Sequence, residues 1–113
     1  MDKKKILVVD DIPANIQILV SVFETYCPNY SIFQSKDAEY ALHIAKKTLP
    51  DIIITDWDMP GMNGIDFIRN LKSIPETQNI PVIMASGVMI SVENLKVAFD
   101  AGAVDFIRKP FSE

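Results

Sequence analysis

Short apolar runs alternate along the chain with stretches of helical period. Ile6-Leu7-Val8-Val9 is an apolar block without alternation, the pattern of a strand buried on both faces. Pro13 opens a stretch in which Ile16, Leu19, Val20 and Phe23 recur at i, i+3, i+4 and i+7. That spacing predicts an amphipathic helix with proline in its first turn, and Pro28-Asn29 breaks it. Tyr30 to Phe33 predicts a second, more polar strand. Asp37 is placed to cap a second helix carrying Ala38, Ala41, Leu42 and Ala45, with Pro50 at its end. Ile52-Ile53-Ile54 is the third strand, followed by a Gly- and Pro-rich turn from Met59 to Gly64. Ile65, Ile68 and Leu71 mark a third helix, and Pro75 and Pro81 bracket the link into Val82-Ile83-Met84-Ala85, the fourth strand. Val92, Leu95 and Phe99 define a fourth helix closed by Gly102, and Val104 to Arg108 is the fifth strand, with Lys109-Pro110 after it.

Strict β/α alternation predicts an α/β fold, a doubly wound parallel sheet joined by crossovers. A chain that runs from strand 1 to 2, then back past 1 to 3, 4 and 5, gives the strand order 2-1-3-4-5 under the right-handed crossover rule. The edges are then strands 2 and 5, the two most polar runs. Helix 1 lies on one face and helices 2, 3 and 4 on the other. One helix cannot cover a five-stranded face, and a usual fifth helix is absent from this chain, which stops at Glu113. The chain is therefore read as a single domain, residues 1–113, and as a fragment of a longer protein. A version carried further by about fifteen residues, the length of an ordinary helix, is expected to be more stable.

Composition narrows the function classes. The chain has 113 residues, 49% of them apolar, which suits one domain with a real core and argues against disorder. A net charge of −4 excludes a phosphate-hugging basic surface, so no nucleic acid is expected as a partner of this domain. The single cysteine, Cys27, excludes an internal disulfide and suits a reducing, cytoplasmic compartment. No run reaches the length of a membrane span, and the apolar block after Lys3-Lys4-Lys5 stops at Asp10-Asp11, too soon for a secretion signal.

The candidate chemistry lies after the strands. Asp10-Asp11 follow strand 1, Asp56 strand 3, Ser86 strand 4 and Lys109 strand 5. Parallel strands point one way, so these groups share one sheet edge, and ligands of open α/β sheets bind there, where the strand order reverses. For order 2-1-3-4-5 that point lies between strands 1 and 3, beside Asp10, Asp11 and Asp56. Crowded carboxylates repel unless a cation compensates. With no His or Cys cluster, zinc is disfavoured, and all-oxygen donors suit Mg²⁺ shared with a phosphate. A hydroxyl (Ser86) and an ammonium (Lys109) complete a set fit to hold a phosphoryl group, with an aspartate able to accept it as an acyl phosphate.

The sequence resembles a response-regulator receiver domain of two-component signalling, a chemotaxis-regulator-like family of flavodoxin-like fold, from Lys4 to Phe111. The resemblance is carried by Ile6-Leu7-Val8-Val9-Asp10-Asp11, by Ile54 to Gly64, by Met84-Ala85-Ser86 and by Ala101 to Phe111, in order and spacing. It implies that Asp56 is the phosphoacceptor and that Asp11 binds Mg²⁺ directly. Asp10 would assist through water and the Asp58 backbone carbonyl would supply another ligand. Ser86 would hydrogen-bond the phosphoryl oxygen, and Lys109 would pair with Asp56 and then with the phosphate. Phe106 occupies the position of an aromatic switch, working with Ser86, and lacks the hydroxyl of a tyrosine. Asp58 and Val88 occupy positions that tune phosphoryl lifetime. The family is bacterial and cytoplasmic. Its implied partners are a sensor histidine kinase or phosphotransfer protein and an output domain or partner protein, with a homodimer as a further option. Asp10 to Asn15 also resembles regulators in hybrid kinases and cyclic-dinucleotide enzymes.

Bland readings stand beside these. Trp57 is read as a packing or surface residue, His43 and Cys27 as inert, and Met59, Met62, Met84 and Met89 as core and loop fillers. Two other functions compete. Asp56-Trp57-Asp58 also resembles the D-x-D of haloacid-dehalogenase-type phosphatases, which need a late acidic pair and a cap that this chain lacks. A phosphorylation-independent interaction module would not need the full residue set. The expectation is a self-modifying phosphoacceptor with slow autodephosphorylation, rather than a true enzyme.

Overall fold

The computed structural model describes residues 4–87 and 91–108. The elements run β1 (Lys4–Val9), α1 (Pro13–Tyr26), β2 (Tyr30–Ser35), α2 (Ala38–Thr48), β3 (Ile52–Asp56), α3 (Gly64–Ser73), β4 (Val82–Ser86), α4 (Val92–Ala101) and β5 (Asp105–Arg108). All five strands are parallel, in the order β2-β1-β3-β4-β5. The polar runs thus lie at the edges and the apolar ones inside, as burial on both faces requires.

Strand alternation divides the core in two. Leu7, Val9, Ile53, Val82 and Met84 face α2, α3 and α4, where they pack with Ala41, Phe67, Ile68, Leu71 and Ala98. Ile6, Val8, Ile54 and Ala85 face α1, meeting Ile16 and Leu19, with Ile52, Ile83 and Ile107 only half-buried beside them. Met59 and Met84 are core residues, as the sequence suggested, while Met89 lies outside the described residues.

Local chemistry sets the helix ends. Asp37 caps α2 by accepting a hydrogen bond from the Tyr40 N–H at 2.7 Å, and Asn63 does the same for α3 through the Asp66 N–H at 2.9 Å. Gly102 closes α4 with φ of 124°, a conformation that favours glycine. A side chain there would also meet the stem of Lys72, whose ammonium donates to the carbonyls of Gln78 and Ile80. Burial lowers the pKa of this lysine below its ordinary value.

Two expectations need correction. The apolar runs underestimate the strands, because ladder pairing continues where side chains turn polar: Lys4 and Lys5 pair with Tyr30 and Ser31, and Thr55 and Asp56 pair with Met84 and Ala85. Asp56 and Ser86 therefore close β3 and β4 instead of following them. The fifth strand begins one residue later than expected, at Asp105. The apolar stripe expected for α4 is also rotated. Val92 is 83% exposed and Phe99 46%, while Ala98 and Ala101 make the buried contact. Small residues thus make the buried contact of α4, Leu95 is half-buried, and Val92, Val97 and Phe99 face outward. Accordingly Ala98→Leu should lower stability by about 1–3 kcal/mol through overpacking, whereas Phe99→Ser should change it by no more than about 0.5 kcal/mol. Urea midpoints of the two variants check this.

Candidate functional site at the carboxyl edge of the sheet

Asp10 leaves the end of β1 with its N–H bonded to the Ser35 carbonyl at 3.1 Å. Its carboxylate Oδ1 accepts the Ile12 N–H at 2.9 Å, which fixes the side chain at the start of α1, where Ile12 offers no side-chain cap. Asp56 ends β3 beside it. The Asp56 carbonyl accepts the Thr55 hydroxyl at 3.0 Å, and the next N–H, that of Trp57, donates to the Ala85 carbonyl at 3.2 Å. These bonds hold the acidic side chains on rigid strand ends instead of on loops.

Asp10, Asp11 and Asp56 each bring a carboxylate oxygen within 4.8 Å of the others. Asp10 and Asp56 are only 2% and 4% exposed, and Asp11 is half-buried. Carboxylates so placed repel one another with little water to screen them, and a hard cation with all-oxygen coordination is the natural compensation. The donor set fits Mg²⁺ and offers neither the nitrogen nor the sulfur that zinc prefers.

Ser86 is fully buried at the end of β4, opposite Arg108. Lys109, Val88 and the Lys109-Pro110 bond lie outside the described residues; Arg108, next to Lys109 in the chain, ends β5 at this same sheet edge. Asp58 is exposed just beyond Asp56. His43 is exposed on α2 and Cys27 half-buried after α1, both outside this cluster.

The turn after β3 shows a requirement that pattern reading missed. The Gly64 N–H donates to the Trp57 carbonyl at 2.8 Å, and a Cβ on Gly64 would fall on the Asp56 carbonyl oxygen and against Trp57 Cα. The start of α3 is thus pressed onto the backbone of Asp56. Trp57 is a packing residue, one of the two readings the sequence offered, and its ring has a specific partner. Its ring meets that of Phe106 edge to face, with centroids 5.9 Å apart and an interplanar angle of 63°. Neither contact has a local sequence signal, because both depend on segments brought together by the sheet.

The family model described as response regulator receiver domain matches residues 6–113. The chain belongs to the response-regulator receiver family. It is 37% identical over 109 residues to the response regulator PleD of Caulobacter vibrioides, covering 96% of this chain and 23% of that protein. It is 34% identical to the chemotaxis protein CheY-3 of Vibrio cholerae, covering 96% of this chain and 82% of that one. Among solved structures, Vibrio cholerae CheY4 superposes with a TM-score of 0.89 at 27% identity, covering 97% of this chain and 89% of that one. The receiver therefore spans about a quarter of PleD and most of a chemotaxis regulator. No described helix is long and apolar enough to cross a membrane.

In this receiver Gly64→Ala should cost about 1–3 kcal/mol, because the new methyl must displace backbone and not a flexible side chain. The loss appears in the denaturant midpoint. Gly61→Ala, with open space around its Cβ but φ of 77°, should be destabilising through backbone strain alone, by about 1 kcal/mol.

Proposed function

We propose that this receiver is a phosphoacceptor switch in which Asp56 takes a phosphoryl group from a phosphohistidine of a sensor kinase or phosphotransfer protein. The observation that supports it best is the meeting of three carboxylates from β1 and β3, with Asp56 buried at a strand end. In the transfer an Asp56 carboxylate oxygen forms a bond to phosphorus while the phosphorus–nitrogen bond of the donor breaks. The electron pair leaves on the imidazole nitrogen, giving an acyl phosphate. Asp11 would hold Mg²⁺ directly, Asp10 would hold it through water, and Asp56 and the Asp58 backbone carbonyl would complete the protein donors. Bound there, Mg²⁺ would supply charge neutralisation for the carboxylates and the transferring phosphoryl oxygens.

Ser86 would donate its hydroxyl to a phosphoryl oxygen, and Lys109 would exchange its pairing with Asp56 for one with the phosphate. Both contacts draw the end of β4 and the residue after β5 toward the phosphoryl group and bias a two-state surface made by α4 and β5. Val92, Val97, Phe99 and Val104 give that surface an exposed apolar character. Its reader is an output domain or separate protein, with a second copy of the receiver as a further option. The setting is cytoplasmic, and slow hydrolysis of the acyl phosphate resets the switch.

Incubation with acetyl phosphate and Mg²⁺ followed by intact mass tests this. A single phosphoryl adduct is expected, lost in Asp56→Asn and when Mg²⁺ is chelated. An adduct that persists in Asp56→Asn would assign the acceptor elsewhere. Thermal melts test the cation site separately: Mg²⁺ at a hundredfold excess over its dissociation constant should stabilise by about 2.7 kcal/mol. Asp11→Asn should raise the melting temperature without Mg²⁺, by relieving like-charge crowding, and should abolish most of the Mg²⁺-dependent gain.

A further inference from the structure

We propose that Trp57 is a positioning residue that carries a change at Asp56 to the exposed α4–β5 face through its contact with Phe106. The proposal rests on the reading of Asp56 as phosphoacceptor and names a route that the residues of the acidic site do not provide.

Trp57 is bonded to Asp56 and has little backbone freedom. Its N–H is held by the Ala85 carbonyl and its carbonyl by the Gly64 N–H. The ring packs on the core cluster of the α2–α3–α4 side, together with Met62 and Phe106. Phe106 stands on β5 opposite Met84 of β4, and β4 separates β5 from β3. The edge-to-face pair therefore spans β4 on the side that faces α4. Strand alternation puts Ser86 on the same side as Met84, so the pair lies over the end of β4 where Ser86 would be drawn toward a phosphoryl group.

The side chain of Phe106 has no polar atom, so its orientation depends on packing. Trp57 supplies an aromatic partner with a preferred geometry, which a flexible aliphatic side chain would not. On the α4–β5 face Val104, just before β5, and Val97 and Phe99 of α4 are exposed. With the backbone held, a change at Asp56 reaches the Phe106 ring as a change in the packing of the Trp57 ring against it, and the Phe106 ring is half-buried.

The test uses fluoroberyllate with Mg²⁺ as a non-transferable phosphoryl mimic, on the wild type, Trp57→Leu and Trp57→Phe. The ¹⁹F signal of bound fluoroberyllate reports occupancy of the acidic site. The ring protons of Phe106 and the amides of β5 report arrival of the signal. All three proteins should bind the mimic. Wild type and Trp57→Phe should show binding-dependent shifts at Phe106 and β5, and Trp57→Leu should lose most of them. Equal shifts in Trp57→Leu would overturn the proposal. Absence of any bound signal in wild type would remove the acceptor reading and this route with it. Should Trp57→Leu fail to fold, Trp57→Met serves, read by the same Phe106 ring protons and β5 amides. Loss of most of the binding-dependent shifts supports the route, and shifts equal to those of wild type overturn it.

Discussion

Like-charge repulsion among buried carboxylates is the constraint around which this receiver is built. Asp10 and Asp56 are almost removed from water and share their corner with Asp11. Such an arrangement disfavours folding unless the strands that carry it are held firmly, and both strands are. β1 and β3 lie at the centre of the sheet, paired on both edges and covered by apolar clusters on both faces. The electrostatic cost is thus placed where the hydrophobic gain is largest, and a hard cation can lower it. A site assembled from flexible loops would instead relax by moving its charges apart.

The reversal of strand order explains the location. β1 is followed in the chain by β2 on one side, while β3 pairs on the other, so the connections after β1 and β3 diverge and leave a crevice between them. Asp10 and Asp11 enter from the connection after β1 and Asp56 from the last residue of β3. Backbone groups complete the frame: the Ile12 N–H turns the Asp10 carboxylate, and Gly64 allows α3 to begin against the Asp56 carbonyl. From there the Trp57–Phe106 pair leads away from the charges toward the outer surface of β5 and α4.

Much of this was legible in the chain itself. Periodicity gives the element order, the turn and cap residues mark the helix ends, and the polarity of the second and fifth strands marks them as edges. The residues flanking the apolar runs indicate the acidic site. Strand length is less legible, since a pattern of apolar side chains ends at Ile54 although the backbone ladder continues through Thr55 to Asp56. The facing of α4 was misread for a related reason. Val92, Leu95 and Phe99 have helical spacing, yet Ala98 and Ala101 make the buried contact, Leu95 is half-buried, and Val92 and Phe99 face out.

Sequence alone determined the alternating parallel architecture and the kinds of donor available at its carboxyl edge, because both follow from local periodicity and residue chemistry. Only tertiary structure decided which atoms touch. The distances among three carboxylates, the closeness of Gly64 to the Asp56 carbonyl and the ring contact across β4 each join segments remote in the chain. Their geometry depends on strand register and on the packing of helices against the sheet, which no short stretch of residues encodes.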